Sequence, residues 1–122
     1  MDRLTSKKIL LWLFLILPLY GFAHPTAYNT SINDQIYKAI LENRFDDMLL
    51  LIKESKDINE ETTDGKSVFD AVLVFHNCEA AEVLFQNHID ITKRDKQGLS
   101  IQDKVNRSDN RTLQKLLKKY YP

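Results

Sequence analysis

The chain contains little cysteine and little glycine, and both shortages restrict what it can be. Of its 122 residues, one is cysteine and three are glycine. Small exported domains often depend on disulfides, but the single Cys78 excludes an internal bridge. One of the glycines, Gly21, lies in an N-terminal apolar segment, so no glycine-rich loop is left to cradle a phosphate. The sequence therefore gives no reason to expect a cofactor.

An excess of positive charge is also missing. The chain has 17 basic and 17 acidic side chains, not counting histidine. Residues 24–92 hold 13 acidic and 5 basic side chains, a net charge of −8, whereas residues 93–122 hold 3 acidic and 9 basic ones, a net charge of +6. Nucleic-acid binding needs a dominant positive surface, so we predict no nucleic-acid partner. The asymmetry indicates either an acidic front and a basic end or ordinary solvated faces.

Side chains for metal or catalytic chemistry are scarce. None of the three histidines, His24, His76 and His88, has a second ligand at helical or hairpin spacing, so no metal site is predicted. Cys78 has His76 two residues away, but a catalytic thiol also needs a third group that orients the base. We interpret Cys78 as apolar filler in preference to a thiol open to a partner. The sequence thus predicts neither an enzyme nor a small-molecule substrate.

The first 23 residues have the pattern of a secretory signal peptide. A charged start, Met1–Lys8, precedes the apolar run Ile9–Phe22, and small residues stand three and one before a cleavage site after Ala23. The run holds 14 residues, fewer than the roughly 20 that span a bilayer. We predict export to the bacterial periplasm, or otherwise secretion. An uncleaved anchor is the alternative, with membrane contact only through this segment. Residues 24–31 are predicted to be an unstructured lead-in.

A set of residues returns after 33 positions. The matched pairs are Asp57 and Asp90, Ile58 and Ile91, Asn59 and Thr92, Gly65 and Gly98, Ser67 and Ser100, and Leu84 and Leu117. A third copy upstream aligns Asp34 with the two serines as a predicted helix N-cap, and aligns Leu50 with Val83 and Leu116 in an apolar column. A fixed period of this length is typical of stacked repeat proteins.

Each copy predicts two short helices, because apolar residues recur there at spacings of three and four. The predicted helices are Gln35–Glu42, Phe45–Glu54, Val68–Phe75, Glu79–Gln86, Ile101–Arg107 and Arg111–Tyr120. The connections Asp57–Lys66 and Asp90–Leu99 are polar, and each contains a glycine that permits a tight turn. The predicted fold class is therefore all-α.

The chain resembles the ankyrin repeat family over roughly residues 32–120. The residues that carry the resemblance are the period, the turn segments 64–67 and 96–100, and the segments 57–59 and 90–92. The family's Thr-Pro-Leu-His signature is replaced by Ser67–Asp70 and Ser100–Asp103, and its glycine after the second helix is replaced by Ser55 and His88. The resemblance implies a solenoid of about three helix-turn-helix repeats within a domain at 32–122, with repeats near 32–64, 65–97 and 98–122.

The resemblance also implies a concave binding face built from the first helices and the turn tips. The predicted protein-binding residues are Glu61, Thr63, Asp64, Lys66, Val74, Phe75, Arg94, Lys96, Gln97 and Leu99. Val74 and Phe75 form either an exposed apolar patch or, if the helix is rotated by one residue, a pair of which one is buried. Phe75 is the expected anchor for the partner.

The function expected from this surface is non-catalytic binding of a protein partner of unknown identity. By resemblance to small exported ankyrin proteins of bacteria, the chain is expected to inhibit a secreted toxic enzyme as its immunity partner. The alternatives are a secreted effector that binds host proteins and a periplasmic accessory protein that protects against stress.

Overall fold

Six helices make up the regular structure of residues 30–122, the part of the chain that the computed structural model describes. The helices are α1 (Ile32–Leu41), α2 (Phe45–Glu54), α3 (Val68–Phe75), α4 (Cys78–Gln86), α5 (Ile101–Arg107) and α6 (Arg111–Tyr120). No strand occurs in this part of the chain. The prediction of an all-α fold is confirmed. The predicted signal peptide (1–23) and residues 24–29 of the predicted lead-in lie outside the described residues.

The helices form three consecutive pairs that repeat the spacing of the sequence. The second helices α2, α4 and α6 begin at residues 45, 78 and 111, and α3 and α5 begin at 68 and 101. Within this arrangement α1 packs against α3, and α4 packs against α6. The apolar column of Ala39, Val72 and Val105 is fully buried, which explains why each first helix carries a small residue there.

The first helix begins three residues earlier than the period predicts. The Ser31 hydroxyl accepts a hydrogen bond from the Asp34 N–H at 3.0 Å, and the Asp34 carboxylate accepts one from the Ser31 N–H at 3.4 Å. Ser31 is therefore the N-cap, and the prediction that Asp34 caps the helix is wrong. The physical reason is a local Ser-x-x-Asp capping box, which adds one turn before the register shared with Ser67 and Ser100.

Left-handed backbone closes several of the turns. Asn43 and His76 occupy matched positions between the helices of the first and second pairs, with φ of 56° and 57°. Gly65 and Gly98 occupy matched positions in the polar connections, with φ of 79° and 81°. These glycines fulfil the prediction of a tight turn, since a side chain is disfavoured at positive φ.

An aromatic cluster joins the second and third pairs. The Phe69 and Phe85 rings stack with centroids 5.4 Å apart, and Tyr121 contacts Phe85 edge-on at 5.5 Å. The Tyr121 hydroxyl also donates a hydrogen bond to the Ile89 carbonyl at 2.7 Å. The end of the chain thus covers the core instead of leaving it open.

The apolar column that contains Leu50 is not buried at its first member. Val83 is only 7% exposed, whereas Leu50 is 60% exposed. The column that aligns Leu50 with Val83 therefore does not have the same burial in each copy. The reason is position, because α4 lies in the middle pair and α2 lies in the first pair of the described chain. None of these helices is long and apolar enough to cross a membrane.

Candidate protein-binding groove

An open groove runs between the turn tips and the first helices. Six of the ten residues predicted to bind protein line it, namely Asp64, Lys66, Val74, Lys96, Gln97 and Leu99. Val74 is 52% exposed, although it belongs to the helix α3, whose other apolar residues are mostly buried. The groove therefore combines an exposed apolar side chain with charged tips.

The second turn tip is fixed by Asp95. Its carboxylate accepts hydrogen bonds from the N–H groups of Gln97 at 2.9 Å and Leu99 at 3.0 Å, and its backbone N–H donates to the Leu99 carbonyl at 3.0 Å. Hydrogen bonds from Lys104 and Leu99 lower the pKa of Asp95 to about 2. The carboxylate is thus ionised throughout the neutral range and holds the tip in one conformation.

The floor of the groove carries a bridging lysine. The Lys104 Nζ lies 2.7 Å from an Asp70 oxygen and 2.8 Å from an Asp95 oxygen, so the side chain joins α5 to α3 and to the tip. Partial burial lowers the pKa of Lys104, but the hydrogen bonds to both carboxylates outweigh it and leave that pKa raised. Lys104 is a cation whose charge is already used inside the fold, so it positions the tip and leaves recognition to other residues.

The first turn tip is placed against α1. The Lys66 Nζ lies 5.5 Å from the centre of the Tyr37 ring, within the range of a cation–π contact. The neighbouring Thr63 donates through its N–H and its hydroxyl to the Asp34 carboxylate. Burial raises the pKa of Asp34, but the Thr63 hydrogen bonds, followed by those with Ser31, leave it lowered. Both tips are therefore tied to helices.

The other predicted binding residues lie outside the groove lining. Thr63 is exposed but engaged with Asp34. Arg94 donates to the Gly98 carbonyl at 2.7 Å and to Asp103 at 2.8 Å. Glu61 lines a smaller pocket between the two connections. Phe75 is 71% exposed, so neither Val74 nor Phe75 is buried and the alternative of a rotated helix is excluded.

Comparison with protein-family models, with curated proteins and with solved structures found no match.

Metal binding and thiol chemistry have little support among the residues that the structure describes. Between residues 30 and 122, no group of three or more His, Cys, Asp or Glu side chains could hold a metal ion. Cys78 is a half-buried free thiol at the start of α4, and the Asn110 side-chain nitrogen lies 3.9 Å from its sulfur. His76 is exposed, with left-handed backbone. Among residues 30–122, the hydrogen-bond partner of the thiol is this Asn110 amide, which is not a base.

Five residues that line the groove are not among the predicted binding residues, namely Tyr37, Gly65, Asp70, Asp95 and Lys104. A signal for two of them was present. Asp70 precedes Val74 by four residues, so the two lie on one side of α3, and Tyr37 precedes Asp70 by one period of 33. Comparing the residues on this side of the first helix in each copy would have identified both Tyr37 and Asp70 as groove residues.

Proposed function

We propose that the chain is a non-catalytic ankyrin-repeat module that binds a segment of another protein in the groove. The observation that carries the proposal is the exposed Val74 among charged groove residues. Apolar side chains surrounded by polar and charged ones are typical of protein-interaction sites. Lys66, Lys96 and Gln97 would supply the polar contacts around it.

The ankyrin-repeat part of the proposal is supported by how local structures recur. The starts of the second helices, the left-handed positions Asn43 and His76, and the turn glycines Gly65 and Gly98 all recur at 33 residues. Repeat proteins of this type present extended concave surfaces. A groove that lies between turn tips and first helices suits that class.

Phe75 extends the proposed surface beyond the groove. It follows Val74 directly and is the most exposed large apolar residue among those described. Aromatic residues contribute more than their share to interface energetics. We therefore propose Phe75 as the anchor for the partner.

We further propose that the module is exported to the bacterial periplasm and inhibits a secreted toxic enzyme as its immunity partner. The signal-peptide pattern of residues 1–23 supports export. An inhibitor needs a rigid binding surface and no catalytic group, and the anchored turn tips supply such a surface. This role extends the binding proposal and is tested by the identity of the protein that the chain captures.

Affinity capture with substitution in the groove tests the proposal. The tagged chain, incubated with periplasmic extract, should retain a protein that the Val74→Asp variant does not retain. Leu49→Asp is the control, since it also replaces an exposed apolar side chain with aspartate, at a residue that does not line the groove. Phe75→Ala should weaken binding roughly 30-fold, as expected for an anchor that contributes about 2 kcal/mol.

Unchanged binding by correctly folded variants would contradict the proposal. The groove would not be the binding site if the Val74→Asp and Phe75→Ala variants kept the helical circular dichroism of the parent and also its affinity for the retained protein.

A further inference from the structure

Charge is divided between the two ends of the described fold. Residues 31–64 carry 9 acidic and 4 basic side chains, and residues 98–122 carry 2 acidic and 6 basic side chains. The first helix pair with its connection therefore has a net charge of −5, and the last pair has a net charge of +4. The proposed groove makes no use of this division.

One side of α2 is uncovered and mostly acidic. We call it the front face, made of Asp46, Asp47, Leu50 and Glu54. All four are exposed, and their spacing places them on one side of the helix, where the exposed Lys53 lies beside Asp46 and Leu50 as the one cation. The matching side of α4 includes Ala80 and Val83, which are buried. The other two matching positions, Glu79 and Asn87, are exposed, so this side is half covered in α4 and fully open in α2.

One side of α6 is uncovered and basic. We call it the back face, made of Arg111, Lys115 and Lys118, all exposed. Among the described residues none of the three forms an ion pair. The matching side of α4 includes Glu82, which accepts a hydrogen bond from the Tyr120 hydroxyl at 2.7 Å. The back face is therefore the equivalent of an internal contact side.

We infer that the occupant of both faces is a second copy of this chain, with the front face of one molecule docked on the back face of the next. The faces carry opposite charge, and each matches a side of α4 that is at least partly covered within the molecule. Arg44 partly neutralises Asp47 through an ion pair, which leaves Asp46 and Glu54 to attract the cations. Leu50 adds apolar area at a position that is buried in the middle pair.

An anionic membrane is the competing occupant, and it suits the back face alone. It would leave the acidic front face and the exposed Leu50 without a role. A second copy uses both faces at once, and for that reason we favour it.

The geometry of this contact determines the form of the assembly. A front-to-back contact joins different surfaces, so it does not close with two molecules and instead builds larger rings or open chains. Exposed ion pairs contribute little each and are screened by salt. The assembly should therefore be weak, should grow with protein concentration and should dissociate as salt is added.

Charge reversal tests the inference with the full chain. One variant, Lys115→Glu with Lys118→Glu, makes both ends acidic. The other, Asp46→Lys with Glu54→Lys, makes both ends basic. Sedimentation at roughly 0.01 M salt, where the screening length is about 30 Å, should show a mass that rises with concentration for the parent. Each variant alone should stay monomeric, and an equimolar mixture should assemble again.

Restoration in the mixture separates this inference from its competitors. Association through the N-terminal apolar segment would persist in each variant alone, and it would overturn the inference. So would a parent that is monomeric at all concentrations, a closed dimer of fixed mass, or a mixture that stays monomeric. Flotation with anionic vesicles that is lost only in the Lys115→Glu, Lys118→Glu variant would instead assign the back face to a membrane. Assembly of the mixture tests the front and back faces, and loss of the captured protein by Val74→Asp tests the groove. The two results are independent, so each site can be supported or rejected by itself.

Discussion

Asp95 couples a turn tip to the floor of the groove, and its ionisation should be visible in the stability of the fold. Its pKa is lowered to about 2 in the folded chain, chiefly by Lys104, from an ordinary value of 3.8. A carboxyl whose pKa is lower in the folded state stabilises the fold above the unfolded pKa and loses that contribution as the pH falls. The stabilising effect of Asp95 is therefore full above about pH 4 and declines toward about pH 2.

We expect Asp95→Asn to flatten the dependence of stability on pH between about pH 4 and pH 2. The amide is nearly the same size but cannot titrate, so it removes one proton-linked step. Thermal unfolding followed by circular dichroism across this range measures the change. Asp109→Asn, at an exposed residue, is the control for the change of a carboxylate to an amide. An acid slope in Asp95→Asn as steep as in the parent would contradict the assignment.

Lys104 shows what a sequence pattern leaves out at the scale of single residues. It reads as one more basic residue of a basic C-terminal segment, yet its charge is shared between Asp70 and Asp95. Asp70 is 34 residues away, so the pairing depends on how α5 lies beside α3. No local spacing encodes that arrangement.

Asn33 is a buried polar residue whose hydrogen-bond partners also cannot be predicted from local spacing. Its side-chain nitrogen donates to the carbonyls of Asp57 at 2.9 Å and Glu60 at 2.8 Å, and its oxygen accepts from the Ser55 hydroxyl at 2.8 Å. It is almost completely buried, a position that asparagine rarely takes without such partners. The sequence alone gives no reason to separate it from exposed asparagines.

At the scale of elements, most helices could be placed from the sequence alone. Five of the six begin within one residue of the predicted position, because N-cap side chains and apolar spacing act over a few residues. The sixth, α1, begins earlier because a local capping box at Ser31, and not the 33-residue period, determines its start. Local chemistry was the better guide there, and the period was the better guide to which residues align across copies.

The connection after α4 carries a side chain where the backbone favours glycine. His88 has φ of 60°, a region that costs a residue with a side chain roughly 1–2 kcal/mol. Glycine removes that cost but loses about 0.5–1 kcal/mol of conformational entropy on folding. We expect His88→Gly to raise the free energy of unfolding by roughly 0.5–1 kcal/mol, measured by urea denaturation.

Gly98→Ala is the opposite substitution, a side chain added at a glycine of positive φ, and it is the control for this prediction. Gly98 has φ of 81°, and no atom lies within 4 Å of the Cβ that alanine would add. The substitution therefore introduces backbone strain without crowding, and it should lower stability by about 1 kcal/mol. Changes of the same sign in both variants would show that backbone conformation does not control stability at these sites.

At the scale of the whole described fold, the last two tyrosines decide whether the third helix pair is held to the second. Tyr120 donates to Glu82 at 2.7 Å, and Tyr121 donates to the Ile89 carbonyl at 2.7 Å. Both rings approach Phe85, with centroids 6.3 and 5.5 Å away. Within the described fold the third pair packs against the second through α6 and α4, so it should open before the rest when that contact is weakened.

Tyr121→Ala should therefore loosen the C-terminal pair before it unfolds the whole domain. It removes a hydrogen bond that contributes about 1 kcal/mol and an aromatic contact that contributes roughly 0.5–1.5 kcal/mol. We expect a loss of about 2 kcal/mol and faster amide hydrogen exchange in α5 and α6 than in α3. Tyr121→Phe should lose only the hydrogen-bond part, and deletion of the exposed Pro122 should change neither measurement. Equal acceleration of exchange in all six helices would mean that the chain unfolds as one unit and that the tyrosines do not hold a separable end.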